Sequence, residues 1–222
     1  MEAAFGRPLR LYGPMRANIY IDGFNFYYRA VRGTPYKWLN LHAMLVAMLP
    51  KDTINRIRYF TAPITPRPND PMSPQRQQVY LRALETLPNF SIHLGNFLTN
   101  PTFMPLVNPP PGGPSTAYVF KTEEKGSDVN LATHLLCDAV DGDFELAIVV
   151  TNDSDLALPI QMVRDKFNLK IGVFSPTKKT TFRLQQSATF HIAIHKRHWR
   201  NNQFPPLVYD PQGNPIRKPA TW

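Results

Sequence analysis

Glu145-Leu146-Ala147-Ile148-Val149-Val150-Thr151-Asn152-Asp153-Ser154-Asp155 is the stretch whose reading decides the fold. Five consecutive apolar side chains, Leu146 to Val150, leave no polar face for solvent, the pattern of a central parallel strand covered on both sides. The run stops at Thr151, and Asp153 or Ser154 can cap the helix that follows, roughly Leu158 to Phe167. Pro159 falls in that helix's first turn, where its missing N–H costs nothing. Leu169 to Phe174 reads as the next strand, and Thr189 to Ile194 adds an edge strand.

Upstream, Asn18 to Ile21 reads as a short buried strand ending at Asp22, with Phe24 to Val31 beginning a helix. Leu41 to Leu49 fits a packed helix, and Ile54 to Phe60 a second strand rich in β-branched and aromatic residues. Gln75 to Leu87 sets Val79, Leu81, Leu84 and Leu87 at helical spacing, and Phe90 to Leu98 alternates as a third strand. Thr99 to Ser115 holds Pro101, Pro105, Pro109, Pro110, Pro111 and Pro114 with Gly112 and Gly113, which predicts a long loop without regular structure. A brief strand, Ala117 to Phe120, returns from it.

Ser127 to Val140 predicts a helix capped by Ser127, with Asp128, Ala132, Leu135, Leu136 and Ala139 along one face. Strands alternating with helices give an α/β fold: a mostly parallel, doubly wound central sheet flanked by helices. The chain divides into a domain over residues 1–195, including the Pro/Gly-rich loop 99–115, and a basic, proline-containing tail over 196–222. The tail lies over the domain or extends free in solution.

The 222 residues suit one such domain, and a hydrophobic content of 43% is enough for a proper core. A formal charge of +9 and a pI near 9.8 point to a polyanionic partner, nucleic acid first. The plain alternative is a basic surface that serves solubility only. No apolar run approaches the ~20 residues needed to span a bilayer. Met1 to Arg16 has basic residues but no apolar stretch after them, so no signal peptide is read. Cys137 stands alone among Leu135, Leu136 and Ala139, which predicts a buried thiol and a reducing compartment, the cytoplasm.

Four carboxylates stand where such a fold places chemistry. Asp22 follows the first strand, Asp153 and Asp155 follow the most apolar one, and Asp128 lies in the first turn of a helix. Ligands of open parallel sheets bind at the carboxyl ends of strands, where the chain order reverses. Crowded carboxylates repel, and a hard divalent cation, Mg²⁺ or Mn²⁺, relieves that repulsion with a few oxygen ligands and retained waters. Singly, each has a structural reading: Asp22-Gly23 as a turn, Asp128 and Asp153 as helix-terminal acids.

Ile19-Tyr20-Ile21-Asp22-Gly23-Phe24-Asn25 resembles the opening motif of NYN domains, a family with a PIN-like fold. Glu124-Lys125-Gly126-Ser127-Asp128-Val129-Asn130-Leu131-Ala132 resembles its second motif, and Val149-Val150-Thr151-Asn152-Asp153-Ser154-Asp155-Leu156 its third. The resemblance spans Asn18 to Ile194 and implies metal-dependent ribonuclease activity. It implies Asp22, Asp128, Asp153 and Asp155 as metal-binding or water-activating acids. For phosphodiester hydrolysis we read Asp22, Asp153 and Asp155 as the inner shell and Asp128 on a metal-held water or second ion. Asn25 would orient Asp22 or meet a phosphate, and Thr151 would hydrogen-bond near the metal; Lys125, beside the second motif, can contact phosphate. Asn152 stands where many relatives carry glycine, and is counted with the substrate-binding residues.

Lys178 and Lys179, in a loop after a strand, can track a nucleic-acid backbone, and Tyr27, Tyr28 and Arg29 offer stacking beside a cation. The partner expected is RNA, with a homo-oligomer or a protein partner reached through the tail. Two other classes stay open: a catalytically inactive RNA-binding or scaffold module, and an enzyme of other chemistry on the same fold. An aspartyl phosphatase is disfavoured because Phe24 stands where its second acid belongs. The absence of a Gly-rich phosphate loop argues against a nucleoside triphosphatase. His191, His195 and His198 lack a cysteine partner and the spacing of a zinc site.

Overall fold

The computed structural model describes residues 13–66 and 69–222, so the reading of the extreme N-terminus lies largely outside the described residues. Its centre is a six-stranded sheet built from β1 (Arg16–Asp22), β2 (Thr53–Thr61), β3 (Phe90–Leu94), β6 (Leu146–Val150), β7 (Lys170–Ser175) and β8 (Phe190–Ala193). The strands lie in the order β3-β2-β1-β6-β7-β8. Every neighbouring pair is parallel. The order reverses between β1 and β6, whose register sets Tyr20 beside Val149 and Ile21 beside Val150. Asp22 and Thr151 therefore emerge side by side at the carboxyl edge.

Alternation along the strands divides the core. Ile19, Ile21, Ile148 and Val150 face one layer, formed with α1 (Gly23–Phe26), α2 (Leu41–Met48), α3 (Ser73–Glu85) and α7 (Lys196–Arg200). Tyr20, Ala147 and Val149 face the other, against α4 (Ser127–Val140), α5 (Ala157–Lys166) and α6 (Phe182–Ser187). A π-helical turn, Tyr27–Val31, continues α1. Among the described residues no helix is long and apolar enough to cross a membrane.

Four expectations need correction. The predicted loop from Thr99 to Ser115 is mostly a ribbon: β4 (Asn96–Pro105) pairs antiparallel with β5 (Thr116–Lys125) over ten residue pairs. Only residues 106–115 form the turn, closed by Leu106 N donating to Ser115 O at 2.9 Å. Pro101 and Pro105 share one parity, so both can turn their N-substituted edge away from the partner strand of a two-stranded ribbon. The predicted strand Phe90 to Leu98 is split at Gly95, where the chain leaves the sheet and enters the ribbon.

Cys137 is exposed. The inward position belongs to its neighbour Asp138, which is 6% exposed. Asp138 receives Arg58 through two hydrogen bonds of 2.8 and 3.0 Å and the Tyr20 hydroxyl at 2.7 Å. α4 is oriented so that Leu131, Leu135, Asp138 and Ala139 face inward, and Cys137 turns out to solvent. Asp128 is left exposed. Nor does Ser127 cap α4; Gly126 holds the cap position with φ +99°, and Ser127 N donates to the Glu124 carboxylate at 3.1 Å.

The segment 196–222 packs on the domain. Trp199, Phe204 and Ile216 are buried in the first core layer, Trp38 Nε1 donates to Pro205 O at 2.8 Å, and β9 (Leu207–Tyr209) pairs with β10 (Pro215–Arg217).

Candidate active site

Asp22 ends β1 and caps the short helix α1. Its Oδ1 accepts from Asn25 N at 3.0 Å, and its Oδ2 accepts from the Thr151 hydroxyl at 2.9 Å. The same hydroxyl accepts from Asp153 N at 3.0 Å, and Asp153 Oδ1 accepts from Asp155 N at 3.0 Å. Asn25 Oδ1 accepts from Asn152 N at 3.0 Å. The two strand ends are thus stitched by side-chain to backbone bonds, which fix the orientation of Asp22 and Asp153.

Gly23 explains why glycine follows the aspartate. A Cβ there would stand 2.6 Å from the Tyr59 ring and 2.7 Å from Phe60 O, so only glycine lets α1 press this close to β2.

Asn152 serves the scaffold. Its Oδ1 accepts from Thr181 N at 2.9 Å, and its Nδ2 donates to Thr177 Oγ1 at 2.9 Å and to Lys179 O at 3.3 Å. Its side chain braces the loop that carries exposed Lys178 and Lys179, and an amide does this where glycine could not. Lys125 extends to the opposite side of β5 from Glu124 and lies 3.4 Å from Glu123, which also binds Lys121 at 2.6 Å. These two lysines hold the Glu123 carboxyl below its ordinary range.

Burial pushes the Asp22 carboxyl up to about 7; the charges of Asp128 and Asp153 add to this, and the bonds from Asn25 and Thr151 oppose it. Asp128, solvent-exposed on its outer side, is also raised by partial desolvation and by Asp153, Glu124 and Asp155. Among the described residues no Lys or Arg forms an ion pair with Asp22, Asp128, Asp153 or Asp155. The four acids therefore form one field of unrelieved negative charge.

Among the described residues no three His, Cys, Asp or Glu side chains are gathered closely enough to hold an ion between them. The donor set is all-oxygen, and each carboxylate keeps acceptor capacity beyond its present bonds. That chemistry fits a water-rich Mg²⁺ or Mn²⁺ on one or two carboxylates better than a closed cage.

Beside the acids, on the first core layer, lies a cavity of about 780 Å³. It is walled by aromatic rings from α1, β2 and α3 and by Trp222, all distant in sequence, which is why no motif announces it. Tyr28 belongs to this wall, where the Arg32 guanidinium lies 5.1 Å over its ring.

The chain matches the NYN domain model over residues 16–195. It is 35% identical, over 94% of its own length and 76% of the relative's, to the 6-hydroxy-3-succinoylpyridine 3-monooxygenase HspA of Pseudomonas putida. In fold it resembles a crystal structure of a protein of unknown function from Vibrio parahaemolyticus. That match has a TM-score of 0.51 at 19% identity and covers 85% of this chain and 98% of the other. A parallel sheet with its order reversing at β1 and β6, acids at that reversal and a family match over most of the chain agree on one conclusion: the chain belongs to the NYN domain family.

Proposed function

We propose that this chain is a divalent-metal-dependent ribonuclease that hydrolyses phosphodiester bonds at the carboxyl ends of β1 and β6. The observation that carries the reading is the group of four acids with no cationic ion-pair partner among the described residues. Of these, Asp22 is raised by burial and then by Asp128 and Asp153, and Asp128 by desolvation and then by Asp153, Glu124 and Asp155.

Asp22 and Asp153 would hold the cation, since both are fixed in orientation by backbone donors. A bound Mg²⁺ or Mn²⁺ supplies Lewis acidity toward a phosphate oxygen and acidity to a water. Asp128 and Asp155, on the open side, orient the attacking water and take its proton. Thr151 holds the Asp22 carboxylate in place, and Asn25 locks the turn after β6 to α1. Lys178 and Lys179 lie on an exposed loop and offer charge to the RNA backbone.

The test is cleavage of labelled single-stranded RNA with Mn²⁺, with Mg²⁺ and with EDTA, beside Asp153→Asn. Metal-dependent cutting that falls by at least about 100-fold in the variant is the expected result. Cutting that survives both EDTA and the substitution would sink the reading.

A second reading follows from the relative named as a monooxygenase, at 35% identity across most of this chain. On it, the chain hydroxylates a small aromatic ring with O₂ and an external two-electron donor. Consumption of 6-hydroxy-3-succinoylpyridine under those conditions, with no RNA cleavage, would select it.

A further inference from the structure

We propose that the cavity beside α1 is a binding site for a small planar aromatic ring carrying an anionic arm, an inference that holds whichever reaction runs at the carboxylates. Its volume of about 780 Å³ falls within the range of small-molecule sites. Phe24, Tyr28, Tyr59 and Trp222 contribute ring walls. Phe24 and Tyr28 stack at 6.4 Å with 25° between their planes, and a flat ligand extends such a stack at low ordering cost.

The polar groups specify the rest of the ligand. Arg32, Lys37 and Arg76 line the cavity against a single carboxylate, Asp70. Asp70 is committed to Arg76. Arg32 and Lys37 have no ion-pair partner among the described residues, and Arg32 is already positioned over the Tyr28 ring. A ring stacked on that wall directs an anionic substituent to these two cations.

Tyr59 adds a hydrogen-bonding group to the wall. It is 6% exposed and lines the cavity, where its hydroxyl can meet a ligand. A phenolic hydroxyl on the cavity wall can donate to an acceptor on the ligand's ring or arm. Burial foremost, with the nearby Asp22 charge, holds its proton on, which keeps it a donor at neutral pH.

The shared chemistry, ring plus anion, comes from an aromatic carboxylate or from a nucleoside monophosphate. Calorimetric titration of the full chain with 6-hydroxy-3-succinoylpyridine, with adenosine 5′-monophosphate and with uncharged 3-acetylpyridine separates them, and quenching of Trp222 fluorescence reports the location. Saturable binding of at least one anionic probe is expected, at least ten times tighter than the uncharged ring. Arg32→Gln with Lys37→Gln should erase that tenfold preference, and Tyr59→Phe should weaken the anionic probe several-fold, both with circular dichroism unchanged. Whichever anionic probe binds tighter identifies the source. Equal affinity for charged and uncharged rings, or binding indifferent to the double substitution in a folded protein, would overturn the proposal.

Discussion

The acidic edge of the sheet and the aromatic cavity share α1 yet are assembled in contrary ways. At the acidic edge, polar groups from β1, β6 and their following turns are tied by bonds of 2.9 to 3.0 Å, many to backbone. In the cavity, rings from α1, the π-helical turn, β2, α3 and Trp222 meet the cations Arg32, Lys37 and Arg76 through packing. The first arrangement fixes positions closely enough to orient a reacting group. The second defines a shape and a charge. On the proposals above, chemistry belongs to the edge and recognition to the cavity, and Asp22-Gly23-Phe24 joins the two.

The largest effect should come from Asp22→Asn. RNA cleavage is expected to fall by at least about 100-fold, with cavity binding retained. Stability should move the other way. Burial raises the Asp22 pKa from its ordinary value to about 7 in the folded protein. Its contribution is thus fully present below the unfolded value near 4 and is lost as pH rises through about 7. The asparagine variant should therefore melt several degrees above the parent at pH 8 and level with it at pH 4. A melting temperature that falls at pH 8 would refute the electrostatic account of this edge.

Gly23→Ala should injure both regions together, because the added methyl meets the Tyr59 ring and Phe60 O. Overpacking of this kind costs about 1–3 kcal/mol, and chemical denaturation with ligand titration would measure it. Loss of one function with the other intact would show that α1 does not couple them. The smallest effect belongs to Glu123→Gln, which frees Lys121 and Lys125 from their shared carboxylate. Affinity for single-stranded RNA should rise about twofold at low salt and little at high salt, as exposed ion pairs are weak.

How much of this was legible follows from how each part is held. The apolar run Leu146 to Val150 and the strand ending in Asp22 were readable because burial on both faces leaves a local imprint. The neighbourhood of Asp22 and Asp153 was readable only through the order of short motifs. The role of Asn152 was not: its three hydrogen-bond partners lie 25 to 29 residues away. The β4–β5 ribbon was hidden because proline density is a statement about a strand inside a sheet, and a two-stranded ribbon has outer edges where proline is tolerated. The packing of 196–222 was hidden because Trp199, Phe204 and Ile216 are isolated apolar residues among polar ones, with no period to detect.

The ribbon has a mechanical consequence. Ten paired residues extend it by about 30 Å, so a tilt of about 10° at its base displaces its end by about 5 Å. That base lies between Gly95 and Gly126, one so close to Lys125 O that it admits no side chain, the other in a left-handed conformation. Glu124, the penultimate residue of β5, also holds the first N–H and the hydroxyl of α4, one residue before Asp128. The arm is therefore a lever with its fulcrum at the acidic edge, and a load on the exposed Phe103 or Phe120 far along it is transmitted as torque to the start of the helix that carries Asp128.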